Sequence, residues 1–162
     1  MIWISGDKHS EFGSIENFCL SHPEFTQEDD TLILLGDVGL NYYRDFRDIA
    51  LKQHVARLPL TFLCVHGNHE QRVETISDYR EQEAFGGNVY VDPAYPNQLF
   101  LQDGTIYTIA NKKVLVIGGA YSTDKFLRLE HRWPWFEDEQ PSPAIRERTE
   151  ATLEAHQWQV DI

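Results

Sequence analysis

Three short segments of the chain carry side chains that commonly bind metal ions. They are Asp7-Lys8-His9, Gly36-Asp37 and Gly67-Asn68-His69-Glu70. Carboxylate oxygens, imidazole nitrogens and an amide oxygen make a mixed set of hard and borderline ligands, which suits Mn²⁺, Fe or Zn²⁺. The residue types therefore indicate a metal-dependent hydrolase.

Each of these segments directly follows a run of apolar residues that is typical of a buried strand. The runs cover residues 2–4, 31–35 and 62–65. In an open α/β sheet, the residues just past the carboxyl ends of neighbouring strands meet in one crevice. In Asp-x-His, both side chains of an extended segment lie on one face, so both can reach one ion. We therefore expect the three segments to converge.

The segments differ in how specific they are. Asp7-Lys8-His9 alone is compatible with an exposed loop, and Gly36-Asp37 alone with an ordinary turn. Gly-Asn-His-Glu is more specific, since Asn is an unusual metal ligand and the adjacent His69 is suited to proton transfer. Because they follow successive strands in this order, the three segments together strongly indicate a metal site.

The first half of the chain alternates strands and helices. The apolar patterns predict strands at 2–6, 31–35 and 60–65 and helices at 14–20 and 43–57. The strand at 31–35 is a continuous apolar run, as expected when both faces of the sheet are covered. This order favours a parallel, doubly wound layer.

The second half has a different pattern. Short strand-like runs occur at 89–91, 97–101, 105–110 and 113–117. They predict an antiparallel stretch that forms or extends a second sheet. Ser142 followed by Pro143 is a typical helix start and predicts a helix over 143–157. Residues 158–162 alternate like the opening of another strand.

Composition narrows the classes of protein to consider. The chain has 162 residues, enough for one α/β domain, and we treat 1–162 as a single domain. Its formal net charge of −12 argues against broad nucleic-acid binding, although a bound dication can reverse the sign of the potential locally. No signal peptide or membrane span is recognisable, and two isolated cysteines suit a reducing compartment, so we expect a cytoplasmic protein.

The motifs resemble those of the calcineurin-like metallophosphoesterases. That family has, in order, Asp-x-His, Gly-Asp-x-x-Asp, Gly-Asn-His-Asp/Glu, a lone His and Gly-His-x-His, and the first three fall within residues 7–70 here. The resemblance implies an α/β fold in which a two-layered β-sandwich is flanked by helices. It also implies a phosphatase or phosphodiesterase with a dinuclear metal centre and metal-bound hydroxide.

The resemblance also implies roles for individual residues. Asp7 and His9 would bind the first metal, Asp37 would bridge both, Asn68 would bind the second, and His69 would be the catalytic proton donor or phosphate contact. We expect Mn²⁺, with Fe, Zn²⁺, Ni²⁺ or Co²⁺ as alternatives. The substrate would be a phosphorylated small molecule, a nucleotide or a phosphoprotein.

Two departures from the family pattern affect these expectations. Leu40 stands where the family has its second Asp, and the lone His and Gly-His-x-His motifs are absent. We therefore expect a truncated chain without the C-terminal strands of the family and with an incomplete second metal site. The alternative function is an inactive metal-binding or interaction module that self-associates through an exposed C-terminal strand edge.

Other candidate residues leave two interpretations open. The loop around His131, Trp133 and Trp135 is either a lid over the metal crevice or a small satellite core. Residues 121–124 follow a glycine pair and either reach the site or serve packing. We interpret His66 as a packing or surface histidine.

Overall fold

The computed structural model describes residues 2–162. Its strands are β1 (Trp3–Gly6), β2 (Thr31–Leu35), β3 (Thr61–Val65), β4 (Arg80–Ala84), β5 (Gly87–Val91), β6 (Gln98–Leu101), β7 (Thr105–Ile109) and β8 (Lys112–Val116). Its helices are α1 (Gly13–Leu20), α2 (Phe46–Val55), α3 (Lys125–His131) and α4 (Pro143–Ala155), with one 3₁₀ turn at Val73–Thr75. Within residues 2–162, no helix combines the length and the apolar character that crossing a membrane requires.

The strands form two sheets. The larger has the order β1-β2-β3-β6-β5-β4, in which β1, β2, β3 and β6 are parallel while β5 and β4 are antiparallel to their neighbours. The smaller is the antiparallel pair β7–β8. The predicted parallel layer is confirmed. Of the predicted antiparallel stretch, the first part extends the large sheet and only the second part builds a new one.

The large sheet is covered on both faces, which explains the continuous apolar runs of its central strands. In β3, Phe62, Leu63 and Cys64 have no exposed surface. Phe62 and Cys64 belong to the core that contains residues of α1 and α2. Leu63 belongs to a second core that contains residues of β7 and β8. This mixed α/β arrangement agrees with the expected two-layered fold. The loops that carry the three motifs follow the carboxyl ends of β1, β2 and β3.

The observed helix and strand limits differ from the prediction where side chains bind backbone. Helix α2 begins at Phe46 and not at residue 43, because the Asp48 carboxylate accepts hydrogen bonds from the Tyr43 and Arg44 amides. Asp45 then caps the helix by accepting from the Arg47 amide at 2.9 Å. Residues 43–45 are therefore held in a turn ahead of the helix.

Residues 158–162 are not a regular strand, but they lie along β8. The Asp161 and Ile162 amides both donate to the Lys113 carbonyl, and the Leu115 amide donates to the Ile162 carbonyl. Helix α4 ends at Ala155, two residues earlier than predicted. The predicted strand opening thus corresponds to a few backbone contacts at the end of the chain.

Tyr107 joins the two sheets. Its side chain is fully buried in β7, and its hydroxyl accepts a hydrogen bond from the Gln102 amide at 2.7 Å, just after β6. The same hydroxyl donates to the Asn88 carbonyl in β5. Since backbone polar groups need partners, this one hydroxyl bonds a backbone group in β5 and another just after β6.

We predict that Tyr107→Phe lowers the free energy of unfolding by about 1–3 kcal/mol, because the Gln102 amide and the Asn88 carbonyl lose a buried partner. Urea denaturation measures this change. The matched control is Tyr121→Phe, which removes the hydroxyl of an exposed side chain and should change the stability by less than about 0.5 kcal/mol. Equal stability of the two variants would show that the Tyr107 hydroxyl does not hold the sheets together.

Candidate metal centre

The register of the parallel strands brings the three motifs to one edge of the sheet. Gly6 at the end of β1 lies beside Leu35 at the end of β2, and Leu35 lies beside Val65 at the end of β3. The loops that follow these strands therefore start side by side. The expected convergence of the three segments is observed.

The first two loops are held together in an unusual backbone conformation. Asp7, His9 and Asp37 have φ values of 52°, 43° and 47°, in the left-handed region where Asp and His are enriched among non-glycine residues. The His9 amide donates to the Asp37 carbonyl at 2.7 Å, and the Ser10 amide donates to the Val38 carbonyl at 3.2 Å. Such conformations concentrate at functional sites.

His9, Asp37 and His69 form a compact group of metal-ligand atoms. One ligand atom from each lies within 4.8 Å of the other two. His9 Nε2 is 3.8 Å from Asp37 Oδ2, and the two imidazole rings are 5.0 Å apart between centroids. Two imidazoles around a buried carboxylate are a donor set that fits a divalent transition metal.

Asp7 and Asn68 lie next to this group but outside it. Asp7 Oδ1 is 3.9 Å from His9 Nε2, and the Asp7 side chain is 81% exposed. The Asn68 amide nitrogen donates to Ser122 Oγ at 2.9 Å, so its carbonyl oxygen is the atom that can bind a cation. Asp7, Asp37 and Asn68 line one cleft of about 330 Å³. All five predicted site residues are thus at one edge, three of them in the compact group.

Glu70, the last residue of the third motif, holds the loops from inside. It is fully buried, and its Oε1 accepts from the Gly67 amide at 3.0 Å and from the Val38 amide at 3.5 Å. Burial raises the pKa of Glu70 to about 7, and the nearby Asp37 charge acts in the same direction. The sequence analysis included Glu70 in the motif but assigned it no role.

Arg128 is a site residue that the sequence analysis missed. It lies on α3, is 6% exposed, and places Nη2 at 2.7 and 2.9 Å from the two ring nitrogens of His69. Burial lowers the pKa of His69; Arg128 and His9 lower it further, while Asp37 partly offsets this. The sequence feature that could have drawn attention to Arg128 is Asp124, four residues before it. This spacing supports an ion pair on a helix.

The other residues that the sequence suggested for the site lie in different places: some contact the site, and others only pack or are exposed. In the 121–124 segment, Ser122 reaches the site through Asn68, and its amide donates to Glu139. Trp135 Nε1 also donates to Glu139, at 2.8 Å, so this tryptophan fastens the loop. His131 ends α3, where it is exposed and packs on Trp133 with ring centroids 5.0 Å apart. His66 is buried, and burial lowers its pKa to about 3.

Comparison with models of protein families finds a match. The family model described as calcineurin-like phosphoesterase matches residues 1–159. No curated protein and no solved structure matches the chain. The match spans nearly the whole length, including all three motif segments and α3.

We predict that Gly67→Ala weakens Mn²⁺ binding by about 10- to 100-fold, the range seen when the support of a metal ligand is disturbed. A Cβ at Gly67 would overlap the Asp37 amide nitrogen and Oδ1, so Asp37 must move. Metal titration of the purified chain measures the affinity. The control is Gly13→Ala, whose Cβ would meet nothing within 4 Å. If both variants bind Mn²⁺ like the unaltered chain, the Gly67–Asp37 contact does not support the centre.

Proposed function

The chain belongs to the calcineurin-like phosphoesterase family, and on that premise we propose that it is a phosphatase or phosphodiesterase that uses two divalent metal ions. Mn²⁺ is the metal that we expect. Membership of the family itself indicates metal-dependent hydrolysis of phosphoesters. The observation that carries the proposal for this chain is that His9 and Asp37, which we assign to metal binding, form a compact group with His69, in which one ligand atom of each residue lies within 4.8 Å of the other two.

We assign metal binding to the residues of the first two motifs and to Asn68. Asp7 and His9 would hold one ion, Asn68 the other, and Asp37 both, because a carboxylate offers two oxygens. Asp37 is already oriented: Oδ1 accepts from the His69 amide at 2.9 Å while Oδ2 is turned toward His9. When bound, the metals supply Lewis acidity and lower the pKa of bound water to about 7.

We assign proton donation to His69. Arg128 can only donate hydrogen bonds, and its Nη2 lies 2.7 and 2.9 Å from the two ring nitrogens of His69. A ring nitrogen of His69 that carries a hydrogen can donate it. That nitrogen would donate to the phosphoryl or leaving-group oxygen, where negative charge develops.

The proposal is tested by comparing Asp37→Asn and His69→Asn in metal content and in hydrolysis of bis(4-nitrophenyl) phosphate with added Mn²⁺. Asp37→Asn should lose both metal and turnover, because an amide cannot bridge two cations through two anionic oxygens. His69→Asn should keep its metal and lose turnover by about 10²- to 10⁴-fold, the usual contribution of a general acid.

The control is His156→Asn, an exposed histidine at the end of α4, which should hydrolyse the diester like the unaltered chain. Parallel loss of metal and turnover in His69→Asn would make His69 a ligand. Full metal binding without hydrolysis by the unaltered chain would contradict the proposed activity and favour the inactive metal-binding module.

A further inference from the structure

A second cleft lies beside His9 and His69. It measures about 330 Å³, and its other lining residues include Ser10, Tyr42, Tyr43 and Arg128. Asp7, Asp37 and Asn68 line the first cleft, so the two histidines border the metal group from the side of the second. A substrate bound at the metals would have this cleft next to its phosphoryl group.

The guanidinium of Arg128 is held rigidly at this second cleft. Its Nε donates to Asp124 Oδ2 at 2.8 Å. Its Nη1 donates to the Tyr42 hydroxyl at 3.2 Å and to the Pro134 carbonyl at 2.9 Å. Three of its five N–H groups are therefore fixed by partners from separate segments, and the side chain is oriented before any ligand binds.

The remaining nitrogen of Arg128, Nη2, lies against the His69 ring, next to the proposed position of the phosphoryl group. Nη2 carries two hydrogens, and the His69 ring can accept one of them. The second is a charged donor close to a proposed phosphoryl-contacting residue. Arginine stays protonated and its planar fork matches the oxygens of phosphate, so a donor of this kind is suited to a phosphoryl oxygen.

We propose that Arg128 binds the phosphoryl group of the substrate through Nη2, beside His69, and that Asp124 is the positioning residue that aims it. This inference rests on the proposed function for the location of the phosphoryl group. The group esterified to the phosphate would occupy the second cleft, along Tyr42 and Tyr43. Arg128 contributes a fixed positive charge in a chain whose formal net charge is −12.

The test uses the full chain loaded with Mn²⁺, inorganic phosphate as the binding probe, and bis(4-nitrophenyl) phosphate as the substrate. Arg128→Lys keeps the charge but loses the fork, and Arg128→Met loses both. We expect phosphate binding to weaken by about 10- to 100-fold in both variants, the range for a hydrogen bond to a charged group. KM for the diester should rise as well.

The matched controls are Arg132→Lys and Arg132→Met. Arg132 is the exposed residue that directly follows α3, four positions after Arg128. These variants should bind phosphate and hydrolyse the diester like the unaltered chain. Mn²⁺ content and Tm are measured for every variant, so that loss of metal or of folding is separated from loss of phosphate binding.

Unchanged phosphate affinity in folded, metal-loaded Arg128→Lys and Arg128→Met would overturn the inference. This holds even if kcat falls because the substitution disturbs His69. An unaltered chain that binds no phosphate at millimolar concentration would overturn it too. Arg128-dependent phosphate binding without diester hydrolysis would support the inference and contradict the proposed function. If neither Arg128 variant folds, Asp124→Asn replaces them and should weaken phosphate binding several-fold, while unchanged affinity counts against the inference.

Discussion

The packing of the loop after β3 against Asp37 is the constraint on which the whole site depends. Gly67 has no side chain, so the Asp37 backbone can approach it, and the His69 amide then binds Asp37 Oδ1 at 2.9 Å. Glu70 fixes the same two loops by accepting from the Gly67 and Val38 amides. This arrangement places two carboxyl groups close together in a buried place, where burial raises the pKa of Glu70 to about 7. A bound dication would offset the charge of Asp37 most directly.

The second half of the chain completes the surroundings of this site. Ser122 holds the Asn68 amide, and Arg128 contacts the His69 ring, so the loop after β8 and helix α3 each reach one residue of the third motif. The loop is fixed in turn by Glu139, which accepts from the Ser122 amide and from Trp135 Nε1. The residues of the motifs are thus oriented by side chains more than 50 positions further along the chain. Catalysis by this centre would depend on both halves.

The sequence predicted the parallel core and the convergence of the motifs because both follow from local patterns. After their first threonine, strands 31–35 and 61–65 are continuous apolar runs, which are typical of strands covered on both faces of a sheet. Strand β4 was missed, since Arg80–Ala84 is a polar, mostly exposed edge strand without alternation and forms by pairing with β5. Arg128 was missed for a similar reason: its contact with His69 spans 59 positions, and no short-range pattern encodes such a contact.

The central claim is that the three strand-end loops form a metal centre that hydrolyses phosphoesters. It is tested most directly by titrating the purified chain with Mn²⁺ and following hydrolysis of bis(4-nitrophenyl) phosphate in the same samples. The account predicts that the chain binds Mn²⁺, that turnover rises with the amount of bound metal, and that chelation abolishes turnover. A chain that binds no Mn²⁺, or one that hydrolyses the diester equally well after chelation, would contradict it.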